Sequence, residues 1–136
     1  MEDGNNNKKK RKDSVLNQKS FSFAVRIVNL AKFLQSEKQE YIQSKQILRS
    51  GTSIGALICE SEFAQSNQDF VNKLSISLKE ANETDYWLRL LNATDYIDDR
   101  SHQSLSQDCD ELIAMLIASI KTTKNNINLN SNKKKS

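Results

Sequence analysis

Apolar residues recur along this chain at alternating steps of three and four in four separate runs, and each run predicts one amphipathic helix. In the first, Phe23, Ile27, Leu30 and Leu34 mark one face, Ala24, Val28 and Ala31 widen it, and Ser20 is the expected N-cap. Phe21, Val25 and Phe33 lie off that face, a breadth that predicts contact with more than one neighbour. The second run, SKQILRSGTSIGALICESEF, carries Ile47, Gly51, Ile54, Ile58 and Ser61 in one row with Leu48 and Leu57 beside it, and Ser44 is the expected N-cap.

The third run opens on Ser66-Asn-Gln-Asp69, which resembles a capping box, and extends to about Ile97. Phe70, Leu74, Ala81, Leu88 and Leu91 mark its stripe, flanked by Val71, Leu78 and Trp87. About 31 residues at a rise of 1.5 Å predict a rod of roughly 46 Å, the longest helix of the set. The fourth run begins near Ser101 to Ser104, after the turn-like Asp98-Asp99-Arg100, and carries Leu105, Cys109, Leu112, Leu116 and Ile120, with Ile113 and Ile117 alongside. Four helices with short connections predict an all-α protein, an antiparallel up-down-up-down four-helix bundle over residues 20–125. The runner-up is a three-helix core with a swapped or loosely docked terminal helix. Residues 1–19 and the Asn/Lys-rich 126–136 have the composition of disordered basic tails.

Punctuation supports the helical reading. Proline is absent, and of the three glycines Gly51 and Gly55 fall inside a periodic run rather than in a turn. Gly51, Gly55 and Cys59 form a ridge of small residues at steps of four. A mid-helix glycine costs about 1 kcal/mol relative to alanine, so close approach of a neighbouring helix is the expected reason, with Trp87 as a large packing counterpart elsewhere. A phosphate-binding loop of the Walker type needs a strand and GK[ST], and neither is present.

At 136 residues the chain fits one domain. No apolar run is long enough to span a bilayer, and the N-terminus lacks the apolar segment of a secretory signal. A cytoplasmic location is expected, with Cys59 and Cys109 as thiols serving as small buried hydrophobes.

The net charge of +3 is unevenly placed. Lys8, Lys9, Lys10, Arg11 and Lys12 stand against Glu2 and Asp3 at one end, and Lys133, Lys134 and Lys135 stand at the other. Each end carries +3, so the body from Asp13 to Asn132 carries −3. Basic runs of this kind hold phosphates without sequence preference, or simply solvate a tail.

Catalytic constellations find little support. The single histidine, His102, falls in a predicted turn with no Glu three residues before it, so a paired Glu-x-x-His di-metal site is not expected, and nucleophilic triads are not expected either for want of histidine. No cofactor and no small-molecule substrate are expected. Glu60 and Glu62 on the second helix, Lys79, Glu80, Glu83 and Asp85 on the third, and Arg26 and Arg49 as partners make up an expected ionic cluster that pins helix register.

The stretch KQILRSGTSIGALICESE followed by FVNKLSISLKEANETDYWLRLL resembles the four-helix-bundle proteins known as 23S rRNA intervening-sequence proteins, and FAVRIVNLAKFL resembles their first helix. The likeness spans about Phe21 to Lys124, and RSGTSIGA with KEANETDYWL is specific in combination. Leu57 and Cys59 depart from the family's more usual small or polar residue and alanine. The resemblance implies a ring-like homo-oligomer, commonly a pentamer, with no established enzymatic activity. Some members are encoded within insertions of ribosomal RNA genes, and a related group serves reverse transcriptases of diversity-generating retroelements through a basic ring surface. Here the acidic body assigns any RNA contact to Lys8–Lys12, Lys133–Lys135 and scattered bases such as Arg89. A protein-interaction scaffold without nucleic acid, or an accessory protein of a reverse transcriptase, is the alternative.

Overall fold

The structure is a computed structural model that describes residues 14–135, and among them it contains four α-helices and no strand. They are α1 (Val15–Glu37), α2 (Gln43–Ser61), α3 (Asn67–Ala93) and α4 (Asp99–Lys135). Cross-helix pairs fix their directions. Gly51 of α2 lies against Ile27 of α1 and Gly55 against Ser20, so the two run antiparallel. Ser77 Oγ donates to the Ile54 carbonyl and Thr84 Oγ1 to Ser50 Oγ, each at 2.9 Å, which sets α3 antiparallel to α2. Arg26 reaches Ser104 and Asp108 while Lys19 reaches Glu111, so α4 runs against α1 as well. This is the up-down-up-down bundle, and α1 and α4 make the thinnest contact of the four neighbouring pairs.

Each helix buries most of the stripe its spacing marks, with Leu30 and Phe70 only half-buried at its margin. Phe23, Ile27 and Leu34 meet Ile47, Ile54 and Ile58, with Leu74, Ala81, Leu88 and Leu91 of α3 and Leu105, Cys109, Leu112 and Leu116 of α4. No described helix is long and apolar enough to cross a membrane.

The turns explain why glycine is free for packing. Gln39 (φ 54°) and Asp95 (φ 66°) are the described non-glycine residues with positive φ, each just beyond the end of a helix where glycine is usual. Around Gln39 the Lys38 and Glu40 N–H groups both return to the Leu34 carbonyl, closing α1. Gly51 and Gly55 are thus left to the helix interior.

Several boundaries differ from those the sequence predicts. α1 starts at Ser14, whose Oγ accepts from the Asn17 N–H at 3.2 Å, and Ser20 is a buried interior residue. Residues 14–19 therefore belong to the bundle rather than to a disordered tail. α2 has Ile42 at its N-cap, and the missing acceptor is supplied by Glu40, whose Oε1 takes the Ser44 N–H at 2.8 Å. Ser66 caps α3 as expected, accepting from Asp69 N–H at 3.0 Å, but the helix stops at Ala93. α4, not α3, is the longest at 37 residues and continues through 126–135, where a disordered tail is expected from composition. Its stripe continues as well: Thr123 and Ile127 follow Leu116 and Ile120 at steps of four, three and four, and Ile127 packs against the core.

Candidate functional surfaces

The small-residue ridge drifts from core to solvent. A step of four residues overshoots one 3.6-residue turn by about 40°. Gly51 is accordingly buried, Gly55 half-buried and Cys59 exposed. Cys59 is therefore not the buried hydrophobe the sequence suggests; its thiol donates to Asn17 Oδ1 at 3.5 Å. Cys109 does lie in the core, where its thiol donates to the Ala81 carbonyl at 3.3 Å. Burial, and secondarily the carboxylates of Asp85, Asp110 and Asp108, push its pKa up to about 12.

The expected single ionic cluster resolves into separate contacts. Arg49 of α2 forks between Glu80, at 3.0 Å, and Glu83 of α3, and Trp87 Nε1 donates to the same Glu83 Oε2 at 3.0 Å. The Trp87 hydrogen bond is the largest influence holding the Glu83 carboxyl below its usual range; burial opposes it, and Arg49 adds to it. Arg49 is shifted upward, first by its hydrogen bond to Glu83. Half-exposed pairs of this type contribute little individually, so the fork's role is to fix the α2–α3 register.

Arg26 takes no part in that cluster. It lies one residue, or 100°, from the core-facing Ile27, on the side turned to α4, and donates to Asp108 Oδ2 at 2.6 Å and to Ser104 Oγ at 2.9 Å. Glu60 pairs with Lys73 at 3.7 Å, and Glu62 accepts from Asn17 Nδ2 at 3.0 Å. Asp85 pairs with Arg89 one turn along α3 at 3.4 Å. Among the described residues no group of three or more His, Cys, Asp or Glu has the arrangement of a metal site.

Two grooves flank the Arg26–Asp108 bridge along the α1–α4 seam. The larger, about 820 Å³, is lined by Leu30, Phe33, Tyr96, Ile97 and Leu105 with Lys38 and Arg100 at its rim. The smaller, about 260 Å³, lies among Lys19, Phe23, Glu111 and Leu112. Both follow from the thin α1–α4 contact.

Of the bases assigned to RNA, Lys8, Lys9, Lys10, Arg11 and Lys12 lie outside the described residues. Lys133 is exposed near the end of α4, within the same helical span as Lys134 and Lys135. Arg89 stands apart from them, on α3 and paired with Asp85. Lys121 and Lys124 are likewise exposed on α4, Lys121 about 100° and Lys124 about 40° around the helix from the buried Ile120.

Comparison with known proteins gives the same picture. No curated protein matches the chain. A crystal structure from Bacteroides thetaiotaomicron, described as a protein with unknown function from the S23 ribosomal protein family, is 59% identical. It aligns with a TM-score of 0.79 over 81% of this chain and 98% of its own. The sequence profile described as 23S rRNA-intervening sequence protein matches residues 12–118, which contain the glycine ridge, the Arg49 fork and the Arg26–Asp108 bridge, and the chain belongs to that family.

Proposed function

We propose that this chain is a non-enzymatic cytoplasmic protein that assembles into a homo-oligomer, a pentamer, and associates with RNA. The observation that carries the reading is the outer face of α1. Phe21 is 70% exposed and Val25 45%, with Val28 half-buried beside them at steps of four and three. A single exposed apolar residue is ordinary, but several along one helix form a face that water disfavours and a second copy of the chain can cover. The count of five comes from the family likeness, and the RNA association rests on the family's description together with the basic runs.

Light scattering on the Phe21→Asp/Val25→Asp variant tests the assembly. A monomer with wild-type helical circular dichroism is expected, and an unchanged oligomer mass would refute this face as the interface. The acidic charge of the body favours the second reading, a protein-interaction scaffold, and that reading takes over if the intact chain binds no RNA at low salt.

A further inference from the structure

Three sides of the bundle are closed by contacts that exclude water. Between α1 and α2, Gly51 lies against Ile27. Between α2 and α3, Ser77 Oγ donates to the Ile54 carbonyl and Thr84 Oγ1 to Ser50 Oγ, each at 2.9 Å and buried. Between α3 and α4, the Cys109 thiol donates to the Ala81 carbonyl inside the core. The α1–α4 side is built differently. Lys19 reaches Glu111 and Arg26 reaches Asp108 across the surface, and these four side chains are between 39% and 48% exposed. The grooves of about 820 and about 260 Å³ flank the Arg26–Asp108 bridge, and the buried Leu105 lines the first and the buried Leu112 the second.

We propose that the bundle opens along its α1–α4 edge, the α1–α2 and α3–α4 pairs swinging apart about the α2–α3 side, with Lys19–Glu111 and Arg26–Asp108 as a salt-sensitive latch. Partial openings occur where few buried contacts must break, and α1 and α4 share the thinnest contact of the four neighbouring pairs. Exposed ion pairs are individually weak. At an edge with little apolar packing across it, two of them are a large share of what holds it shut, and they are the part that dissolved salt screens. The hydrogen bonds on the α2–α3 side are buried and uncharged, so salt leaves that hinge in place. Opening uncovers Leu105 and Leu112, whereas Cys109, turned to Ala81 of α3, stays covered.

The test is native labelling of the full chain with N-ethylmaleimide, read residue by residue by peptide mass spectrometry. The chain carries Cys59→Ser and Leu112→Cys, with Leu105→Cys as a second reporter should the first disturb the fold by circular dichroism. Cys109 in the same molecule reports openings that part α3 from α4, global unfolding included. Lys19→Gln/Arg26→Gln is compared with Lys73→Gln/Arg89→Gln, which removes two exposed ion pairs elsewhere. The latch variant is expected to label the introduced thiol about fivefold faster with Cys109 unchanged, and the control variant to match the parent. Raising salt from about 0.05 to about 1 M is expected to accelerate the parent by a similar factor and to leave the latch variant unaffected. Equal rates in the latch and control variants overturn the proposal. So does a rise at Cys109 that matches the rise at the introduced thiol, because the whole fold then opens rather than one edge.

Discussion

Gly51 and Ile27 are packed so closely that a Cβ on the glycine would stand 2.8 Å from Ile27 Cγ2, closer than carbon atoms approach without something shifting. Four residues on, the same addition at Gly55 would meet the Ser20 carbonyl oxygen at 3.4 Å, the near edge of ordinary contact. The two glycines share a helix and a ridge, and they differ in what a methyl group would cost.

Gly51→Ala is therefore expected to lower stability by about 1–3 kcal/mol, because overpacking against a β-branched core side chain outweighs the gain in helix propensity. Gly55→Ala is expected to be neutral or to stabilise by up to about 1 kcal/mol, since the propensity gain meets little resistance. Urea unfolding followed by circular dichroism measures both. Equal effects at the two sites would contradict the close-approach account.

The Glu83 carboxylate, held low by Trp87 and then Arg49, makes part of the stability dependent on pH. A carboxyl whose pKa is lower in the folded than in the unfolded chain contributes fully above the unfolded value and loses that contribution as pH falls through the folded one. The stability difference between wild type and Glu83→Gln is expected to be constant above about pH 6 and to shrink below about pH 5, staying under about 1 kcal/mol because the pair is partly exposed. Trp87 is the chain's one tryptophan, so fluorescence reports both the hydrogen bond and unfolding. A difference that grows as pH falls would contradict the assignment.

The two thiols are expected to separate cleanly. Cys109 is buried, and a thiol with its pKa near 12 supplies almost no thiolate at neutral pH. No more than one thiol per chain, that of Cys59, is expected to react with Ellman's reagent in the native protein, and both in guanidinium. Prompt native reaction at Cys109 would show that the α3–α4 core opens far more readily than its packing allows.

Spacing alone made the core legible. Phe23, Ile27, Ile54, Leu74 and Leu112, all on the marked stripes, are all buried. The start of α3 at Ser66 was legible, but those of α1 and α2 were less so. Ser20 has the right chemistry for a cap, yet its small side chain is used to admit Gly55, and Ser14 does the capping. At α2 the acceptor comes from Glu40, two residues before the N-cap, a position outside the usual capping pattern. Asparagine and lysine disguised the end of α4, where Ile127 alone extends the apolar step. Arg49 with Glu80 and Glu83 was recognisable from position and charge, whereas the turn of Arg26 toward Asp108 depends on which neighbour α4 faces, which only the assembled bundle specifies.

Native mass spectrometry of the full chain at micromolar concentration tests the central claim, that this is an assembling bundle rather than a solitary one. A single dominant species with the mass of five chains is expected, each near 15.5 kDa. A spectrum containing only the monomer would contradict the account and leave the exposed Phe21 and Val25 without a partner copy.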